Sequence, residues 1–444
     1  MKRIWEKAKK NPYTFLFITG IAARLAIYLA YGGHVSMFND SENYTDVAEM
    51  IKNWDFSSYN GNRTPGYPFL IFLANISGSL VTIYQSILGI LTSLMLYSIF
   101  YNQSKNVGIS LIAGLVPSIF LHLLFYERAI LTENLTLFCF TACIWFMIKK
   151  DFFNRPQKLF AVFLIGILSM VTVTVRPMFL ILPLFITIYY ILLNYKEGIF
   201  HNAIRVFLFC TPFLIFYTFW TSFNESHTGY KSITSFSGGN LAQNTVFYVE
   251  KADDKYAEIR DIHVRKRDSL IAHNHDPAMA IWFVFTEMKK KDSLTVAEFS
   301  QRLNPMNRDL IMENKLDYLK QVSTSWADFW GTSILWNYNS FKIFEARKIL
   351  LVLWKYITFP VIIILKILFL LICGYHIFIR IMKRRWLFNF ELFCVLLILG
   401  ASIGQALVTF GSNARFSMPF FPLMVIVVLQ FYLNFNKKIC HNQY

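Results

Sequence analysis

Long apolar runs alternate with short polar interruptions along this chain. Runs of about 20 apolar residues have the length of a membrane-crossing helix. They predict spans near 12–32, 81–101, 107–125, 133–149, 158–175, 177–195, 203–222, 350–379, 389–410 and 415–435. A shorter apolar stretch, GYPFLIFLANISGSL at 66–80, is punctuated by Pro65, Gly66 and Pro68 and predicts an interfacial helix feeding the second span. Residues 223–345 are too polar to cross a bilayer. Within them, HDPAMAIWFVFTEMKKK and NRDLIMENKLDYLKQVSTSWADFW carry helical patterning. No repeat and no inverted symmetry of hydropathy is visible. The expected fold is an all-α polytopic membrane protein with about ten transmembrane helices, interfacial helices and a mostly helical extracytoplasmic segment. Three regions follow: an N-terminal transmembrane module at 1–222 with a first outer loop at 33–80, the extracytoplasmic segment 223–345, and C-terminal transmembrane helices at 346–444.

Charge gives the orientation. The chain is 55% hydrophobic and 16% charged, with a net charge of +16. Soluble proteins carry more charge than this. The basic residues fall in alternate loops: Lys2 to Lys10, Lys105, Lys149 to Lys158, Lys196 and Arg205, Arg380 to Arg385, and Lys437 with Lys438. Ten spans put all of these on one side, the cytoplasmic one, with both termini inside. The positive charge is therefore a topology signal, and no nucleic-acid partner is expected. The six cysteines lie in predicted spans or the C-terminal tail, so neither a disulfide framework nor a cysteine metal site is expected.

The outer side collects the chemistry. SMFNDSENYTDVAEMI, just past the first span, holds Asp40, Glu42, Asp46 and Glu49. Asp40, Asn43, Tyr44 and Val47 share helical spacing, so one short helix can aim Asp40 and Tyr44 together. NRTPGYP follows, with Arg63 beside a rigid turn and Tyr67 behind it. Arg128 in YERAILTEN, Arg176 in VTVRPMF and Arg415 in SNARFSMPFFP mark other outer span ends. One such arginine is ordinarily structural; several around one acidic loop suggest an anion site. The histidines 263, 273 and 275 fit no standard zinc spacing and read as solvated loop residues. SFSGGNLAQN at 235–244 reads either as an ordinary turn cluster or as a flexible lid bearing Asn240 and Asn244. Trp326, Trp330 and Trp336 suggest an interfacial aromatic belt.

FNDSENYTDVAEMI, RTPGYPFLIFLANISG, ERAILTENLTLF, VTVRPMFLILPL and RFSMPFFPLMVI together resemble, in order and spacing, the integral-membrane glycosyltransferases of the GT-C class. The nearest resemblance is to bacterial enzymes that use polyprenyl-phosphate sugars, including lipid A aminoarabinose and lipopolysaccharide core transferases, and more distantly to protein O-mannosyltransferases. It covers most of the first 200 residues and the last 40. Many relatives read Pro-Asp-Glu where this chain reads Asn39-Asp40-Ser41-Glu42, so the second carboxylate has moved one place.

The resemblance implies an inverting glycosyltransferase at the outer face of a bacterial inner membrane. Its donor is a lipid-linked sugar and its acceptor a hydroxyl of a glycan, lipid or protein. Asp40 is the implied catalytic base, with Glu42 beside it. Arg63, Arg128, Arg176 and Arg415 are expected to bind the donor phosphate, and Tyr44, Tyr67, Glu133 and Asn240 to contact substrate. The leaving phosphate is already a stable anion, so the chemistry asks for a base and cationic clamps rather than a strong acid. No cofactor is required; the alternative is a divalent cation on Asp40, Glu42 and Glu133. The competing class is a secondary transporter, or a flippase- or ligase-type protein that handles lipid-linked glycans.

Overall fold

A computed structural model describes residues 2–384, 387–411 and 413–441. Arg385 and Ser412 lie outside these residues, as do the side chains of Lys2, Lys437, Lys438 and Cys440. The described chain is helical throughout, apart from one isolated bridge between Ser36 and Ala129. Among the described residues, six helices are long and apolar enough to cross a membrane: Pro12–Tyr31, Gly78–Ser104, Ile199–Thr228, Phe344–Lys383, Phe390–Val408 and Asn413–Asn436. The protein is thus a multi-pass, all-helical integral membrane protein.

The four other predicted spans are helical but shorter. Leu159–Val175 and Glu133–Lys149 have 17 residues each, roughly 25 Å of helix. Pro177–Leu193 opens with a 3₁₀ turn. The predicted span 107–125 is broken: Val107–Ile119 stops, Phe120 takes an extended backbone (φ −84°, ψ 111°), and Leu121–Tyr126 resumes. Pro117 removes a hydrogen-bond donor just before the break. The 66–80 stretch also divides. Gly66–Leu73 is an eight-residue helix. Asn75 and Ile76 then turn the chain through positive φ, and Gly78 starts the next long helix. Phe344–Lys383 runs for 40 residues and carries a π-helical turn at Trp354–Thr358.

Residues 237–329 build a helical domain with its own core of Val249, Ile281, Val284, Phe299, Leu303, Met306 and Leu310. Polar bonds clamp it to the end of the Phe390–Val408 helix. Asn244 Nδ2 donates to Ala406 O (3.0 Å), Thr409 Oγ1 to Gln243 Oε1 (2.6 Å), and Tyr318 OH to Leu407 O (2.7 Å).

Three expectations change here. SGGN is the start of a helix, Ser237–Thr245, not a loop or lid. A Cβ on Gly238 would sit 2.5 Å from the Ser300 carbonyl oxygen, so this glycine lets two helices touch through their backbones. His263 is fully buried inside the helix Ala257–Ala272, whereas His273 and His275 are exposed. Trp330 is buried against Phe329 and Phe369, Trp326 donates to Ser402, and Trp336 packs on Phe125 and Phe341. Trp330 is thus core packing, and the half-buried Trp326 and Trp336 are held by contacts within the protein.

Candidate functional site

Five charged side chains from five separate segments meet at one place. Asp40 stands in the first turn of the helix Asn39–Asn53, where a carboxylate also complements the helix dipole. Ser41 fixes that start: its hydroxyl accepts from Phe38 N (2.9 Å) and donates to Ile130 O (2.8 Å). The preceding strand-like stretch is stitched to the same segment through Ser36 N to Arg128 O (2.8 Å) and Ile130 N to Ser36 O (3.1 Å).

Arg63 lies in the loop before Pro65. The Tyr59 hydroxyl holds its carbonyl (2.9 Å), and the Tyr44 and Phe236 rings flank its guanidinium at 4.5 and 4.9 Å. Gly66 brings this loop onto the end of Leu159–Val175. A Cβ there would lie 2.7 Å from backbone atoms of Thr174 and Val175. Arg176 follows at once. Proline at 177 pushes it out of helical geometry (φ −146°, ψ 110°), which swings its side chain off the helix. Glu133 is the first residue of Glu133–Lys149. Arg415 rides on the 3₁₀ turn Asn413–Phe420. That turn is pinned by Asn413 Nδ2 to Ser325 Oγ (2.6 Å), Gln405 Nε2 to Asn413 Oδ1 (2.7 Å) and Lys366 Nζ to Ser417 Oγ (2.7 Å).

The resulting network is continuous. Arg63 Nη2 donates to Asp40 Oδ1 (2.8 Å), and Arg415 Nη2 to Asp40 Oδ2 (3.0 Å). Arg415 Nε donates to Glu133 Oε1 (2.7 Å), and Arg176 Nη1 stands 3.0 Å from the same oxygen as an ion pair. Glu133 is wholly buried, while the Asp40 side chain keeps 34% of its exposure. Three guanidiniums face two carboxylates, so the cluster carries one surplus positive charge and opens to solvent at Asp40. Burial pushes the Asp40 carboxyl up, but Arg63 and Arg415 outweigh it by charge and hydrogen bonding and hold it below the usual carboxylate range. Arg63 Nε and Glu133 Oε2 are buried without a hydrogen-bond partner among the described residues.

Tyr44 and Tyr67 meet edge to face at 5.1 Å, and the Tyr67 hydroxyl donates to Gln85 Oε1 (3.2 Å). Both rings are buried beneath the cluster. Sequence reasoning passed over four neighbours: Phe236 on Arg63, Phe416 on Arg176 (4.7 Å), Tyr126 within electrostatic reach of Glu133 and two arginines, and Lys366 behind the Arg415 turn. Phe416 directly follows Arg415 in the sequence, which was the available signal for it; Phe236 lies 173 positions from Arg63 and gave none.

Three expected members stand apart. Arg128 donates through Nε and Nη2 to His34 O (3.2 and 2.8 Å) and through Nη1 to Thr82 Oγ1 (3.0 Å), so it ties the loop after the Pro12–Tyr31 helix to the Gly78–Ser104 helix. Glu42 is exposed on the Asn39–Asn53 helix. Two residues on from Asp40, it is rotated by about 200° and faces the other way. Asn240 is half-buried within its helix, and its side chain bonds to none of the five charged groups. Among the described residues no three His, Cys, Asp or Glu side chains stand close enough together to hold a metal ion. The cation alternative on Asp40, Glu42 and Glu133 therefore lacks its ligand set. No protein-family model and no curated protein matches the chain.

Proposed function

We propose that the protein is an inverting glycosyltransferase that moves a sugar from a polyprenyl-phosphate donor to an acceptor hydroxyl at the outer face of a bacterial inner membrane. The observation that carries this reading is the open carboxylate of Asp40 gripped by two arginines of a cluster with surplus positive charge. Guanidiniums are the groups suited to a phosphate, and a carboxylate beside them suits proton abstraction. The two functions compete for the same arginines. With Arg63 and Arg415 bonded to it, Asp40 is a weak base. A donor phosphate that engages those guanidiniums loosens their hold, and the carboxylate becomes more basic as the site fills. Asp40 then takes the acceptor proton while the arginines receive the departing phosphate.

The topology proposed with this reading has ten spans and both termini cytoplasmic. The short helices suit it. Glu133 opens one of them, and Arg176 separates two others, so their ends supply the buried members of the cluster. The test uses purified protein in liposomes, supplied with lipid-linked sugars extracted from the source membrane and with labelled acceptor fractions. Transfer of sugar to an acceptor supports the reading. Counterflow of substrate without transfer would instead make the protein a transporter.

A further inference from the structure

A cavity of about 210 Å³ lies away from the Asp40 cluster, between the Pro12–Tyr31 and Gly78–Ser104 helices. Ile21, Leu25, Ile83 and Ile87 form its walls, and each remains between 37% and 54% exposed. These walls stand on helices long enough to cross the membrane, so the mouth opens on lipid rather than on water. The floor is polar. Arg24 Nη2 donates to Glu127 Oε1 at 2.6 Å, with both side chains at least nine-tenths buried. A Cβ on Gly89 would collide with this pair, so the glycine makes room for it. Arg24 Nε and Glu127 Oε2 have no partner among the described residues. Arg128 closes the outer end, its guanidinium 5.5 Å from the Tyr28 ring.

Arg24 and Glu127 cancel, which leaves Arg128 as the uncompensated charge of the floor. The occupant that matches all three features is an amphiphile. Its chain lies along the isoleucines, a hydrogen-bond acceptor meets the Arg24 Nε–H, and an anion meets Arg128. We propose that this cavity binds one anionic glycerophospholipid of the outer leaflet, with its phosphate toward Arg128, an ester carbonyl toward Arg24 and an acyl chain between the two helices. The site is independent of the proposed transfer reaction and reassigns Arg128 from the donor to a bilayer lipid.

Native mass spectrometry of the full-length protein, titrated with phosphatidylglycerol or with phosphatidylcholine of the same chains, tests this. One phosphatidylglycerol adduct is expected, favoured roughly fivefold, the worth of one basic residue against an anionic lipid. Ile87→Trp fills the cavity from its lipid-facing wall and should abolish the adduct. Arg128→Lys should keep the preference, and Arg128→Gln should lose it. Equal binding of the two lipids, or an adduct that survives Ile87→Trp, would overturn the proposal. So would loss of the adduct in Arg415→Gln with retention in Ile87→Trp, since the lipid would then sit at the Asp40 cluster.

Discussion

The cluster around Asp40 and the surface of the helical domain 237–329 use the same side chains to opposite ends. On that domain Lys255 pairs with Asp309, Arg260 with Asp254, and Lys251 with Asp317, at 2.7 to 2.9 Å. At least one partner of each pair lies open to water. Such pairs contribute little, because solvent screens them and long side chains must be ordered to form them. Around Asp40 the distances are similar, at 2.7 to 3.0 Å, but Glu133 and Arg176 are buried, and Asp40, Glu133 and Arg415 each serve two partners. Distance alone therefore does not rank ion pairs. Burial decides whether losing one partner strands the other.

The largest expected effect is Asp40→Asn, nearly isosteric but unable to accept a proton. Sugar transfer by the purified variant should fall by roughly 10²–10⁴, with membrane insertion unchanged. Near-normal turnover would remove Asp40 from the chemistry and reduce the cluster to structure. Glu133→Gln comes next. It leaves Arg176 buried without its counter-charge, a loss of about 3–5 kcal/mol, readable as a fall in melting temperature in detergent. Stability equal to wild type would mean that the buried and exposed pairs do not differ as argued. Arg63→Lys keeps the charge but loses the planar fork and its seat between Tyr44 and Phe236. Apparent affinity for the lipid-linked donor should drop by roughly 10- to 150-fold, as expected for one charge-assisted hydrogen bond worth about 1.5–3 kcal/mol, while acceptor affinity holds.

A milder effect belongs to the helical domain 237–329. His263 is buried with neither ring nitrogen partnered among the described residues, and burial lowers its pKa to about 3. The unfolded chain takes up this proton near pH 6.5, whereas the folded domain resists it until about pH 3. Stability is therefore complete above pH 6.5 and declines as pH falls toward 3. Melting curves of wild type and His263→Leu should diverge below pH 6.5 and run parallel above it; parallel curves throughout would count against a buried neutral histidine. The smallest effect is Lys255→Met with Asp309→Asn. Its melting temperature should match wild type, and a clear fall would show that an exposed pair carries more than its setting allows.

Much of this was legible in the sequence because the cluster is built at span ends. Asp40, Arg63, Glu133, Arg176 and Arg415 each sit near where an apolar run starts or stops, and a proline close after two of them, Pro65 after Arg63 and Pro177 after Arg176, fixes the local turn. Arg128 satisfied the same rule and still points elsewhere. The bridge between Ser36 and Ala129 orients its segment, and that pairing joins residues 93 positions apart, beyond any local pattern. Glu42 was readable: two helical positions from Asp40 cannot share its face. His263 was readable too, since it lies four residues after buried Ile259 on one helix. The Gly238–Gly239 pair was not, because the same two letters serve a turn or a close helix contact, and only the position of Ser300 distinguishes them.

The helix Phe344–Lys383 measures roughly 60 Å at 1.5 Å per residue, twice the oily thickness of a bilayer. A rod of that length cannot stand upright inside the membrane; much of it must emerge or lean. Its first quarter, Phe344–Leu353, has no buried residue and carries Arg347 and Lys348, and the π-turn at Trp354–Thr358 follows directly. Arg347, Lys348 and Lys355 thus all lie at or before that turn. Farther along, Lys366 grips the segment that carries Arg415. Bilayer thickness thus becomes a variable of the Asp40 cluster: a thicker membrane draws more of the rod inside, and the strain of that adjustment is felt first at the π-turn.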